Sequence, residues 1–583
     1  MRLSGLHTSA CPLPALALLL VATTSAAQDT TFLRDTNVAV PMRDGVVLRA
    51  DVWKPNAPGR FPVLVYRTPY GKNSAGAAFS TARKAVQRGY AVVVQDVRGR
   101  YASDGEYVAY AREGHDGYDT IEWAAAQPWS NGAIGTFGLS YPGAVQWLAA
   151  IESPPHLKAM VPAMTFASPM QFWYSNGVWD MSWIAWVYHN IAPDRRARLG
   201  IPGPRSGREA DSVWKMSSGL MTHRLPLLAM NEFERVAPWY YDWLRHPAYD
   251  PWWDWAELRG KYDRTNAAVL NFSAWYDEAY GPHGATNNFA GLVAARRGAP
   301  LKTAMIIGPW SHGVPRMGRA TVGEREYGPA GSVDYDEVVL RWMDRYVRDI
   351  DNGVDREKPV RLFVLGSNKW IAADSWPIAG LQPDTIVLVR SASVTTITSD
   401  PRNPVPNAFE GRAGAHDYRA LAQRSDVIVF DTAPLDSDMT VVGAMRAELY
   451  VSVDAPDADV WVKVYDVAPD GTAFNLMSPG LDVVRASFRN ASRKRELLQP
   501  GKVYQLRLND LLTANTFKQG HRIRVAVMPS FFPDFSRNPQ TGDLESTSSK
   551  VRVARITVHH SKRYPSRLIL PLLTNRAMLS ADK

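Results

Sequence analysis

The chain has 583 residues, 46% hydrophobic and 21% charged, with a formal charge of +9. That length exceeds what one hydrophobic core usually holds, so several structural units are expected, and the composition excludes a disordered or fibrous protein. The single cysteine, Cys11, lies ahead of an N-terminal apolar run, so disulfides, thiolate catalysis and thiolate metal sites are excluded from the rest of the chain.

Arg2, an apolar run over 13–22 and the small residues Ser25-Ala26-Ala27 read as a secretory signal peptide spanning 1–27. A secreted or periplasmic protein is therefore expected, and export without disulfides fits a bacterial envelope. No later stretch reaches the roughly 18 apolar residues of a membrane span. Around Arg43-Asp44-Gly45, residues 38–54 alternate like a β-hairpin. Apolar runs at 61–66 and 90–95 flank a helical stretch at 80–88; a helix at 117–127, a short strand at 134–138 and a helix at 144–152 follow. Strands alternating with helices predict parallel βαβ units, so 28–160 is assigned to the first part of an α/β core.

Strand signals fade over 161–260, where tryptophans crowd, and this segment is expected to be a mostly helical cap. The βα pattern resumes over 261–358 with "AAVLNFSAW", "KTAMIIGPW" and a helix at 334–347. From 359 to 583 the helical period is gone. Val460, Val462 and Val464 alternate with Trp461, Lys463 and Tyr465, and Ile523, Val525 and Val527 behave likewise, which predicts a C-terminal β-sandwich of jelly-roll, galactose-binding-like type.

The strongest chemical signal is "IGTFGLSYPGAVQW". A short strand ends at Gly138, Ser140 occupies the turn and a helix starts near Pro142, the arrangement that lifts a nucleophilic hydroxyl off a strained strand-to-helix elbow. The second glycine is Gly143, one place later than in G-x-S-x-G, because Pro142 intervenes; a glycine-flanked structural turn is the competing reading. Such a serine needs a base, and the base an orienting carboxylate. Asp277 and His312 follow two later strands in the order this fold class uses. His283 follows no strand end, and Asp96 precedes the serine. The Tyr141 N–H is the natural first donor to an oxyanion. Tyr70, in the loop "RTPYGK", is a candidate second donor, although loop tyrosines usually serve packing. No metal or cofactor is expected: H-E-x-x-H and a G-x-G-x-x-G fingerprint are missing, and His559 and His560 would face opposite sides of one strand.

The stretches "YRTPYGK", "QDVRGRYASDGEY", "DGYDTIEWAAAQPWSNGAIGTFGLSYPG", "AWYDEAY", "GPWSH" and "HRIRVAVMPSFFPDFSRNPQTG" run in order through nearly the whole mature chain. Together they resemble the family of bacterial cocaine esterase, the α-amino-acid ester hydrolases, glutaryl acylases and X-Pro dipeptidyl peptidases. The resemblance implies an α/β-hydrolase core with an inserted helical cap and a C-terminal jelly roll. It also implies a Ser140–His312–Asp277 triad, with Tyr70 in the oxyanion hole. The carboxylates that hold an α-ammonium group in the amino-acid ester hydrolases are replaced here by Ala279 and Tyr280, which argues against aminoacyl substrates. The cap sequence is nearer the cocaine esterase pattern, which implies an aromatic acyl pocket containing Trp173 and Trp186.

The expected activity is hydrolysis of carboxylic esters, or of amides, through an acyl-enzyme. An X-Pro dipeptidyl peptidase or an acylase on the same scaffold is the alternative. A glycan- or polymer-binding protein with an inert core is the alternative of another class. The expected partner is a small-molecule substrate; no nucleic acid is expected, and homo-oligomerisation is left open.

Overall fold

The structure, a computed structural model, describes residues 32–75, 78–297, 302–491 and 494–575; the expected signal peptide lies outside them. Its first body is a 10-stranded sheet. The strands are β1 (Phe32–Pro41), β2 (Val47–Pro55), β3 (Phe61–Thr68), β4 (Ala91–Asp96), β5 (Ser130–Leu139), β6 (Leu157–Ala163), β7 (Ala268–Tyr276), β8 (Thr303–Ser311), β9 (Val360–Val364) and β10 (Lys369–Ala373). Their spatial order is β1-β2-β4-β3-β5-β6-β7-β8-β9-β10. Pairing is parallel from β4 through β9 and antiparallel at both edges.

The central strands read as continuous apolar runs because both faces of the sheet are covered. Val63 and Val65 of β3 and Val93 of β4 face one side, against Ile121 of α2 (Glu113–Ala126) and Val145 and Leu148 of α3 (Tyr141–Ala150). Leu64, Val92 and Val94 face the other, together with Ala82 of α1 (Ala78–Gln87) and Val339, Leu340 and Met343 of the helix Tyr335–Tyr346. Every residue of β7 is buried.

The core sheet runs further than the expected boundary at 358. β9 pairs in parallel with β8, and β10 closes the edge as its hairpin partner. Residues 360–373 therefore join the core sheet: the helical period ends here because a hairpin closes the sheet, not because the sandwich begins.

The insert holds helices Ser182–Trp186, Ala192–Leu199, Gly207–Thr222 and Trp239–Arg245, joined by a π-turn, 3-10 turns and a small ribbon of Tyr174–Ser175 with Val178–Trp179. Its aromatics extend the core on the α2/α3 side of the sheet. The C-terminal domain packs a 7-stranded sheet against a 5-stranded one. Between them lie Val441, Leu449, Val462, Val525, Ile556 and Leu568. The strand Asp459–Val467 is buried on both faces rather than one. Val460, Val462 and Val464 face the sandwich interior, whereas Trp461 and Tyr465 pack with Val178 of the cap and with Phe531 and Phe535. Cap and sandwich are also stitched by backbone hydrogen bonds from Met181 to Asp534 (2.8 Å) and from Leu227 to Glu545 (2.9 Å).

Candidate active site

At the end of β5 the backbone turns sharply into α3. Ser140 sits at φ 70° and ψ −128°, a region that residues with a side chain rarely enter. The turn closes only with small neighbours. A Cβ on Gly138, itself at φ 144°, would stand 2.6 Å from the Pro142 ring, and one on Gly143 would stand 2.5 Å from the Ala163 carbonyl oxygen. These clashes explain the glycine spacing: Gly138 makes room for the proline, and Gly143 lets α3 approach β6. The Ser140 N–H donates to that same Ala163 carbonyl at 3.0 Å, so the turn is anchored to the neighbouring strand.

Asp277 and His312 are brought together by sheet register. Tyr276 of β7 pairs with Ser311 of β8, so the residue following each strand lies beside the other. Asp277 is fully buried. Its Oδ1 lies 2.8 Å from Nδ1 of His312 and also accepts from the N–H groups of Ala279 and Tyr280 at 3.2 and 3.4 Å. The His312 N–H donates to Oε2 of Glu278 at 3.0 Å, so this turn holds the histidine by both its ring and its backbone. Burial disfavours the imidazolium, but the Asp277 and Glu278 carboxylates outweigh it and hold His312 above the usual histidine range.

Ser140 and His312 line one cavity of about 360 Å³, walled by Tyr70, Tyr110, Phe172, Trp183, Trp186 and Tyr280. Among the described residues no hydrogen bond joins Ser140 to His312. Tyr70 and Tyr280 line the same cavity as the serine. Tyr70 accepts from Nε1 of Trp186 at 3.1 Å, and burial raises its phenol pKa, keeping it a neutral donor. Tyr280 stacks on His312 with ring centroids 5.7 Å apart, and its hydroxyl lies 3.1 Å from that of Tyr110.

Below the elbow, the Tyr141 hydroxyl donates to Glu113 at 2.7 Å, and Glu113 pairs with Arg67 at 2.8 Å. That buried network fixes the first residue of α3, whose N–H follows the serine.

The expected pocket residues separate. Trp186 lines the cavity, but Trp173 does not. Trp173 is fully buried behind the wall, packed on Trp183 and Trp253 at centroid distances of 5.8 and 5.0 Å. Phe172, its neighbour in sequence, takes the wall position. His283 bonds the Gln171 carbonyl (2.7 Å) and Asp96 bonds Lys72, so both belong to the scaffold. Tyr280, Tyr110 and Trp183 had no sequence signal: aromatics are plentiful here, and only their convergence distinguishes these.

Residues 44–314 match the model of the X-Pro dipeptidyl-peptidase (S15 family), and residues 352–569 match that of the X-Pro dipeptidyl-peptidase C-terminal non-catalytic domain. Cocaine esterase of Rhodococcus sp. (strain MB1 Bresler) is 31% identical over 581 residues, covering 92% of this chain and 98% of that protein. The chain belongs to this family of serine hydrolases. A putative serine esterase of Mycobacterium tuberculosis is 24% identical, covering 93% of this chain and 96% of that protein. The fold is shared with solved structures. An aminopeptidase from a marine sediment archaeon, Thaumarchaeota archaeon, superposes with TM-score 0.78 at 23% identity, covering 94% of this chain and 97% of its own. An α-amino acid ester hydrolase superposes with TM-score 0.76 at 22% identity, covering 96% and 100%.

Proposed function

We propose that the chain is an exported esterase acting through Ser140, His312 and Asp277. The observation that carries this reading is the Asp277–His312 hydrogen bond at the ends of adjacent strands, on the cavity that also holds Ser140. His312 takes the serine proton as Oγ bonds to the ester carbonyl carbon. The carbonyl oxygen then carries negative charge, and the Tyr70 hydroxyl and the Tyr141 N–H donate to it. Collapse expels the alcohol, which leaves with the proton from His312. Water, deprotonated by the same imidazole, then releases the acid and restores Ser140. The serine–histidine hydrogen bond of such sites often tightens only when substrate closes them.

The aromatic wall suits an apolar acyl group. Ala279 and Tyr280 stand where the amino-acid ester hydrolases carry carboxylates for an α-ammonium, which favours esters over N-terminal dipeptides. The Arg2, apolar-run and Ser25-Ala26-Ala27 pattern supports export. Labelling with a fluorophosphonate, with and without Ser140→Ala, tests the nucleophile. Turnover of butyrate and benzoate esters against an Ala-Pro anilide tests the substrate class: preferred cleavage of the anilide would replace the esterase reading with a peptidase one.

A further inference from the structure

The stretch "QDVRGRYASDGEY" carries the loop after β4, and Arg100 within it is fully buried. Burying a guanidinium is costly unless it is paired and hydrogen-bonded. Among the described residues its one ion pair is with Asp194 of the cap, at 3.5 Å. Its donors are spent instead on three backbone carbonyls: Nε on Pro69 at 2.8 Å, Nη1 on Ile191 at 2.9 Å and Nη2 on Asn190 at 2.9 Å. The Tyr101 and Tyr107 ring centroids each lie 5.2 Å from the guanidinium carbon.

Those carbonyls belong to two segments that both reach the cavity holding Ser140. Pro69 immediately precedes Tyr70, the proposed oxyanion donor. Asn190 and Ile191 end a π-turn, Val187–Ile191, in which the Ala192 N–H donates to the Val187 carbonyl; such turns recur at functional sites. The π-turn continues directly from the helix that ends at Trp186, whose Nε1 donates to the Tyr70 hydroxyl at 3.1 Å. Tyr70, Trp186 and Asn190 all line the cavity. The cap thus meets Tyr70 at its hydroxyl through Trp186 and at the preceding carbonyl through Arg100.

The rest of the loop is held from the core. The Tyr70 N–H donates to the Thr68 hydroxyl at 3.1 Å, and the Lys72 N–H donates to Asp96 at 2.5 Å. The Lys72 ammonium pairs with the same carboxylate at 3.4 Å. The tie through Arg100 joins this backbone to the cap. A planar fork with donors at fixed angles suits carbonyls that converge from two segments, whereas a lysine, a point charge on a flexible stem, would not fix their mutual position.

We infer that Arg100 is a positioning residue: it locks the π-turn of the cap to the Tyr70 loop and so sets the Tyr70 hydroxyl against the elbow at Ser140. The inference rests on the hydrolase reading of that cavity, and the test separates the two.

Hydrogen-exchange mass spectrometry and steady-state ester kinetics compare wild type with Arg100→Lys. Exchange is expected to speed up together in peptides covering 66–75 and 187–199, while peptides over β7 exchange as in wild type. The kcat is expected to fall roughly 10- to 100-fold, the scale that a misplacement of about 1 Å carries, with KM within about twofold. In the Tyr70→Phe background the same substitution is expected to add little, because the group it positions is already gone. Arg100→Gln buries no charge and takes the place of the lysine variant if that one does not fold. Unchanged exchange in both segments, an unchanged kcat, or a kcat loss that multiplies on that of Tyr70→Phe overturns the positioning role. Coupled exchange in a protein whose wild type turns over no ester overturns the hydrolase reading and leaves the tie between cap and loop standing.

Discussion

The proposed catalytic cavity and a second cavity of about 280 Å³, where core, cap and sandwich meet, lie on either side of one turn, Asp277–Tyr280, yet they are built in opposite ways. The catalytic cavity has a dense aromatic wall, and its polar groups are mutually engaged: Asp277 with His312, Trp186 with Tyr70, Tyr110 with Tyr280. The second cavity gathers Asp180, Glu278, Glu410 and Asp534 beside Lys463 and Arg412, and Lys463 pairs with Asp482 on its wall. In the proposed reaction the first cavity would meet charge as it develops on the substrate oxygen. Glu278 is the residue common to their frames.

The largest expected effect falls on the proposed catalytic cavity. Ser140→Ala should lower kcat roughly a millionfold, as loss of a serine nucleophile does elsewhere, and abolish fluorophosphonate labelling. Steady-state kinetics and mass spectrometry of the labelled protein check it. A stability comparison sharpens the distinction between wall and packing. Trp173→Ala should cost about 3–5 kcal/mol of stability, as a fully buried aromatic does, read by denaturant unfolding. Trp186→Ala should cost less stability and act mainly on KM.

Tyr70→Phe removes one oxyanion donor and should lower kcat by about 10²–10³-fold with little change in KM, measured by steady-state kinetics; a loss confined to KM would make Tyr70 a wall residue. The smallest effect is on pH dependence. His312 must be neutral to accept the serine proton, and its neighbouring carboxylates raise its pKa. Activity should therefore rise with pH through an apparent pKa above the ordinary value of about 6.5. Glu278→Gln removes one of those carboxylates, so the rising limb of kcat/KM should move to lower pH. A limb that moves upward would show that Glu278 does not face the histidine as a charge.

The elbow and the Asp277–His312 pair of the candidate site were legible from the sequence because their geometry is local. An elbow needs glycines within a few residues of its serine, and residues that end consecutive parallel strands come together through register, as Tyr276 and Ser311 do. The runs that mark β3, β4, β7 and β8 are continuous because both faces of the sheet are covered, and that same fact separates strands from the amphipathic helices between them. Where burial did not follow the local pattern, the sequence misled: the 360–373 hairpin read as sandwich, and Trp173 read as pocket. Alternation does not say which sheet a strand joins, and a tryptophan's position does not say which side of a wall it occupies.

The sequence by itself therefore determined the fold class, the elbow at Ser140 and the order of its partners, since these depend on period and on short-range steric limits. Only the tertiary structure decided that Tyr280 and Tyr110 join the site, that Trp173 leaves it, and that Asp180, Glu278, Glu410 and Asp534 share one cavity. Those acids are scattered over more than half the chain, and what brings them together is the packing of cap and sandwich against the core, which no local pattern encodes.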